Sequence, residues 1–354
     1  MSKKKIKVAL AFNEAQPEFY VKSVEHEIKE LAFDPYFEVE ELTPIEEYEL
    51  MAEQLSKAGF EAYPLNIFDD LGILLKDFDK NKPDVVFNFM ELFKENSRLE
   101  MNLVGILELL RIPYTGAPPM VLSNCQSKVL TKRILNSFGI ITPNFVLIKN
   151  PAQHYRHNLN YPLIVKPAFE DASVGIENNS IVENSRDLTE RINYIFTSFR
   201  QSVLVEEFID GRELNVAVLG NDNPAALPIS EIDFSQMPDH LYNIVSYQAK
   251  WDPNHEAYHK TIPSCPAKVP KRIEYKAKEI ALQAFSIMGC RDYARIDMRL
   301  SDENKLYVLE VNPNPDLTES AGFMRSAEAM GLSYIDTLKT IIGFAKKRGS
   351  NQST

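Results

Sequence analysis

The sequence predicts an α/β protein of two or three domains, and three observations carry that expectation. The chain opens with segments of alternating β and α character, a proline-rich break interrupts it near residue 120, and its last third holds two β-prone runs joined by a short polar turn. At 354 residues, with 44% hydrophobic and 25% charged content, it is long enough for more than one core.

Residues 7–12 form a short apolar run that reads as a buried strand, and 23–31 reads as a helix. A helical stretch containing 51–58 precedes a second apolar run at 84–89, which completes a β-α-β opening. No G-x-G-x-x-G follows the first strand. Asn13-Glu14-Ala15-Gln16-Pro17 stands there instead, which removes support for the usual dinucleotide site. A helix over about 99–110 runs into Ile112-Pro113-Tyr114-Thr115-Gly116-Ala117-Pro118-Pro119, whose prolines forbid regular helix and mark a domain edge near residue 120.

An amphipathic helix over 127–138 stops at Gly139, a glycine cap. Strands follow at 145–148, 163–167, 203–207 and 213–219, the last two separated by the turn signal Asp210-Gly211. Residues 235–266 are polar and aperiodic and read as a mobile loop of the kind that covers a substrate. Residues 293–300 and 305–311 are expected to pair as an antiparallel hairpin, and the polar tail 346–354 is expected to be disordered.

Strand alternation places Arg295, Asp297 and Arg299 on one face of the hairpin's first strand, and Glu310 and Asn312 on one face of its second. Two carboxylates and an amide can thus converge. Magnesium takes such hard oxygen ligands, with substrate phosphates completing its shell. Arg295 beside them can neutralise charge on a transferred phosphoryl group or a tetrahedral oxyanion. Lys128 and Lys166 are ordinary lysines taken singly. Together with the loop Ser173-Val174-Gly175 they can cradle a triphosphate. An exposed strand edge over 204–209 would offer backbone groups to an adenine ring, and Glu213 would accept ribose hydroxyl protons. Read alone, Glu206, Glu207 and Glu213 are turn-flanking charges.

Other classes are disfavoured. A net charge of -11 opposes broad attraction to nucleic acid. No apolar run reaches the roughly 18 residues of a membrane span, and the basic start lacks the length and cleavage site of a signal peptide. Cys125, Cys265 and Cys290 are odd in number and far apart, which fits a reducing cytoplasm better than a disulfide framework. His255-Glu256-Ala257-Tyr258-His259 matches the H-E-x-x-H zinc-protease pattern, but Pro253 and Pro263 flank it and it lacks the apolar face of a stable helix.

In order, these segments resemble the D-alanine:D-alanine ligase branch of the ATP-grasp superfamily over nearly the whole chain. The residues that carry the resemblance are Ile112-Pro113-Tyr114-Thr115-Gly116, Pro162-Leu163-Ile164-Val165-Lys166-Pro167, Val205-Glu206-Glu207-Phe208-Ile209-Asp210-Gly211-Arg212-Glu213, Ala249-Lys250-Trp251, Ala294-Arg295-Ile296-Asp297 and Glu310-Val311-Asn312-Pro313. The resemblance implies a Rossmann-like pre-ATP-grasp domain over 1–120, a central ATP-grasp subdomain acting as a lid over 121–203, a C-terminal ATP-grasp subdomain with the metal site over 204–345, and a tail over 346–354. It implies that Lys128 and Lys166 hold ATP phosphates under a loop containing Ser173. The backbone of Glu206, Glu207, Phe208 and Ile209 would take the adenine, with Glu213 at the ribose. Asp297, Glu310 and Asn312 would bind two magnesium ions, replaceable by manganese. Arg295 would sit at the phosphoryl group and Lys250 on a mobile loop above it.

The implied activity is ATP-dependent joining of a small carboxylate to an amine, amino acids or a peptide among the candidates, through an acyl phosphate, by a cytoplasmic enzyme that can be a homodimer. The departures fall in the substrate pockets. The family's carboxylate-binding histidine is missing, and Met90-Glu91-Leu92-Phe93-Lys94-Glu95-Asn96-Ser97-Arg98 replaces its glycine-rich run. Asp316 stands where the family has an oxyanion glycine, and Ala321, next to Ser320, where it has a substrate serine. A related but different ligase is therefore expected, with Glu14 or Glu91 at a substrate amino group, Arg98 at a carboxylate, and Asp316 and Ser320 in the rebuilt pocket. The alternatives are a nucleotide-binding regulator without turnover and an ATP-grasp kinase.

Overall fold

The computed structural model describes residues 4–15, 43–151 and 157–351. The helix expected over 23–31 lies outside them. Among the described residues the chain forms three sheets. The first holds β1 (Lys7–Phe12), β2 (Glu61–Asn66) and β3 (Val85–Phe89), all parallel in the order β2-β1-β3. β1 and β3 are continuous apolar runs because both of their faces are covered. Ala9, Ala11 and Val86 pack on one side, while Val8, Leu10, Val85 and Phe87 meet the last helix, Tyr334–Asn351, on the other. β2 is absent from the sequence reading for a physical reason: it is an edge strand, half exposed, and contains Pro64, whose missing N–H is tolerated there.

The second sheet is antiparallel, β4 (Phe145–Ile148), β5 (Leu163–Pro167), β6 (Ile181–Val182) and β7 (Val203–Glu207) in the order β4-β7-β5-β6. It has its own core, made with Leu188, Ile192 and Ile195 along one face of the helix Ser185–Phe199. The third sheet comprises β8 (Arg212–Leu219), β9 (Ala225–Ala226), β10 (Ser230–Asp233), β11 (Ile262–Ser264), β12 (Tyr293–Leu300) and β13 (Leu306–Asn312), in the order β11-β10-β8-β12-β13 with β9 on β8. Ala277, Ala281 and Ala284 let the helix Lys271–Met288 lie close against it.

Several expectations are corrected. β7 and β8 are not partners: Asp210-Gly211 carries the chain from the second sheet to the third. Gly211, at φ 127, lies against the Leu300 carbonyl where a Cβ would collide. A boundary at 203/204 would cut β7 from its sheet. The helices Pro119–Gln126 and Lys128–Ser137 bury Val121, Leu122 and Leu135 in the core they share with the helix Lys271–Met288, while Val129 of the latter of the two packs against Leu204 of the second sheet. The stretch 235–266 is ordered by two short helices, Tyr247–Trp251 and Glu256–Lys260, and by β11. Residues 346–351 continue the last helix, because Arg348 is anchored at buried Asp292. No described helix is long and apolar enough to cross a membrane.

Candidate active site

The late hairpin forms as its alternation requires. Arg295 lies opposite Asn312 and Asp297 opposite Glu310, with a bulge following at Asp297/Met298. Ile296, Met298 and Leu300 point into the core, so Arg295, Asp297 and Arg299 take the other face. Arg295 donates through Nε and Nη2 to the two Asp297 oxygens, at 2.8 Å each. Asn312 Nδ2 donates to Asp297 at 2.9 Å and to Glu310 at 3.4 Å. Asn215, on neighbouring β8, donates to Asp297 at 2.8 Å. The sequence reading missed Asn215, although it is the one polar residue in the run 214–219, two positions from Glu213.

Two distant lysines meet this hairpin. Lys128, first residue of a helix capped by Ser127, lies 3.4 Å from Glu310 and 2.8 Å from Asp171. Burial opposes its charge, but Asp171 and Glu310 overcome that and push its pKa up. Burial also works against ionised Glu310, yet Lys128, Lys166 and Arg295 hold it down at about 2. Lys166, at the end of β5, lies 3.0 Å from Glu206, whose other oxygen is 3.1 Å from Lys132. Lys132 was not anticipated; one helical turn after Lys128 it shares that residue's face, which is the signal available in the sequence. Fully enclosed, it is pulled down to about 8 by burial, with Glu206 resisting.

The expected exposed edge at 204–209 is not there. β7 lies between β4 and β5, and the Glu207 and Phe208 N–H groups already donate to Asn144 and Pro162 carbonyls. The Glu207 carboxylate accepts from Asn144 and Asn160. Phe208 stacks edge-on to Tyr242 and Ile209 is half-buried beside it. Glu213 pairs with Arg299 at 3.0 Å, and burial raises its pKa against that partner.

Over these groups two segments clasp each other. Ser173 Oγ donates to the Val245 carbonyl at 2.8 Å, Trp251 Nε1 to the Ala172 carbonyl at 2.9 Å, and Tyr247 N to the Ile176 carbonyl at 2.7 Å. Lys250 lies on this clasp with its Nζ 5.0 Å from the Trp251 ring, and burial lowers its pKa, helped by Arg295.

Three of the residues expected to bind substrate share a cavity. Glu91, Asp316 and Ser320 line one cavity between the first sheet and the loop after β13. Glu14 and Arg98 are not among its described lining residues: the Glu14 backbone is tied to Asn66, and the Arg98 guanidinium stacks on Phe169 at 5.0 Å. Desolvation inside the cleft, reinforced by Asp316 and opposed by Lys250, pushes Glu91 up to about 7. The H-E-x-x-H segment is a single helical turn whose first histidine is its cap. The second faces the Pro253 carbonyl at 2.9 Å, and no metal-binding group of three or more His, Cys, Asp or Glu occurs among the described residues.

The family described as "D-ala D-ala ligase C-terminus" matches residues 134–343. The D-alanine–D-alanine ligase of Carboxydothermus hydrogenoformans is 30% identical over 300 residues, covering 81% of this chain and 88% of that protein. The corresponding ligase of Desulforudis audaxviator is 32% identical over 301 residues, covering 83% and 90%. The crystal structure of the Bacillus anthracis D-alanine–D-alanine ligase complexed with ATP superposes with a TM-score of 0.70 at 20% identity, covering 98% of this chain and 99% of that one. A shared fold along the whole chain and a family match over residues 134–343 make this protein a member of the D-alanine–D-alanine ligase-like branch of the ATP-grasp superfamily.

Proposed function

We propose that this protein is an ATP-dependent carboxylate–amine ligase working through an acyl phosphate. The observation that carries the reading is the meeting of Lys128 with Glu310 at 3.4 Å, beside Asp297, Asn312 and Arg295. Basic groups and carboxylates there face one small volume, as recognition of a metal-bound triphosphate requires. A solved relative of the same fold is complexed with ATP, which supports ATP as the nucleotide.

Asp297, Glu310 and Asn312 fit magnesium by the hardness of their oxygens. The Glu310 carboxylate is held ionised by Lys128, Lys166 and Arg295, so it is ready to bind without a proton being lost. When bound, magnesium would draw charge from the transferred phosphoryl group, and manganese would serve the same donor set. Lys128 and Lys166 hold the phosphates, Glu206 to Ile209 border the base, and Glu213 the ribose. A substrate carboxylate oxygen attacks the γ-phosphorus as the bond to ADP breaks. An amine nitrogen then bonds to the acyl carbon, the C–O bond to phosphate breaks, and the nitrogen loses a proton. Arg295 neutralises charge in both steps. The clasp of 171–176 with 245–251 excludes water, which would otherwise consume the acyl phosphate.

The test is ADP release across pooled amino acids, small peptides and other carboxylates, with mass spectrometry of the product. We expect an amide or peptide product, with Asp297→Asn abolishing release while the fold is retained. Release that persisted in Asp297→Asn would remove the metal assignment, and ADP without any amide would favour a kinase.

A further inference from the structure

The cavity beside the hairpin has a chemistry of its own. Its described lining carries five carboxyl side chains, Glu47, Glu91, Glu100, Asp316 and Glu319, from four separate chain segments, and no lysine, arginine or histidine; burial and mutual repulsion raise Glu91 and Glu100, an imbalance that a bound cation would relieve. It opens next to the phosphoryl site, because Tyr293 in its wall precedes Arg295 by two residues and the loop 314–320 leaves β13 directly after Asn312. The cations beside it lie outside the described lining: Lys250 and Arg295 act on Glu91 and Asp316 from the phosphoryl side, Arg295 donates two hydrogen bonds to Asp297, and Arg325 donates to the Ser320 carbonyl. A second observation is independent of charge. Asn88, 2% exposed at the end of β3, lines the same cavity, and its Nδ2 has no hydrogen-bond partner. A buried donor left unmatched by protein points to an acceptor on a ligand. Gln54 Oε1, also in the wall, is a buried acceptor without a partner and would take an N–H. Tyr48, stacked on Phe12 at 4.3 Å and facing Phe89 at 5.0 Å, supplies an aromatic side on which a cation can rest.

We infer that this cavity holds a cationic amine substrate bearing a carbonyl-type acceptor and no free carboxylate, as in the amide of a basic amino acid. A zwitterionic amino acid would bring its own carboxylate against this acidic wall with no cation among the described lining residues to receive it. The assignment of the ligand as a substrate rests on the ligase reading above; its charge class rests on the cavity alone.

Calorimetry on the full chain without nucleotide separates the two. The probes are lysinamide, putrescine, alanine and succinate. Lysinamide is expected to bind about 10-fold or more tighter than alanine, and to weaken by a similar factor in the double variant Glu91→Gln, Glu319→Gln. Binding should weaken with added salt. Asn88→Ala, with its fold checked by circular dichroism, should weaken lysinamide but leave putrescine, which has no acceptor, unchanged. Equal or tighter binding of alanine or succinate, or full lysinamide affinity in the double variant, overturns the inference. If lysinamide binds as expected and ADP release is never seen with any carboxylate, the charge class stands and the ligase reading falls. If a zwitterionic amino acid turns over and lysinamide neither binds nor reacts, the ligase reading stands and this inference falls.

Discussion

At the scale of single residues, the site is a set of charges that stabilise one another only as a group. Glu310 shows this: its carboxyl ionises near pH 4.5 in the unfolded chain but near 2 in the folded one, where Lys128, Lys166 and Arg295 surround it against the opposing effect of burial. A depressed carboxylate pKa contributes stability that is full above 4.5 and is lost as pH falls towards 2. Glu310→Gln should therefore flatten the fall in stability across that window, read by urea unfolding at several acid pH values; an unchanged slope would refute the coupling. Asn215 has no charge but holds Asp297 from the adjacent strand. Since partners that orient a ligating carboxylate typically carry about 10–100-fold in metal affinity or activity, Asn215→Ala should raise the magnesium requirement of ADP release by that order. Those charges were readable as residue types, whereas Asn215 and Lys132 were not, since their importance comes from neighbours on other strands and helices.

At the scale of elements, the loop 171–176 depends on tight backbone packing. Gly175 sits at φ 74, and a Cβ there would come within 2.6 Å of the Pro167 ring and 3.0 Å of Phe199. Arg191, buried on the adjoining helix, ties the Gly175 carbonyl, Glu177 and Ser180 together at 2.8 Å each. Gly175→Ala should therefore strain the loop by about 1–3 kcal/mol, lowering the melting temperature and raising the KM for ATP more than it changes kcat. A variant with wild-type KM and melting temperature would show that the loop tolerates displacement. The strands of this region were legible because β5 and β7 are short apolar runs with sharp ends. Their order in the sheet was not, and this is why the expected free edge at 204–209 proved to be an inner strand.

At the scale of the whole molecule, the first and third sheets share cores, and the second has a core of its own but is joined to them through Val129 on the helix Lys128–Ser137. The junction is fastened at Asp292, fully buried, which accepts from Gly116 N at 2.9 Å, from Asn221 and from both ends of the Arg348 guanidinium; Arg348 also donates to the Tyr114 carbonyl at 2.6 Å. Arg348→Ala removes the charge facing a buried carboxylate, and we expect a loss of about 3 kcal/mol in denaturant unfolding. A loss below about 0.5 kcal/mol, the range of an ordinary surface substitution, would mean the tail is dispensable.

The sequence by itself determined the hairpin, the faces that carry Asp297 and Glu310, most strand positions and the family, because strand alternation and local motifs are properties of neighbouring residues. Tertiary structure alone decided which carboxyl groups share the cavity, that the Arg98 guanidinium rests on Phe169, and that 346–351 is anchored. Those facts depend on contacts between segments far apart in the chain, and no local pattern records where such segments meet.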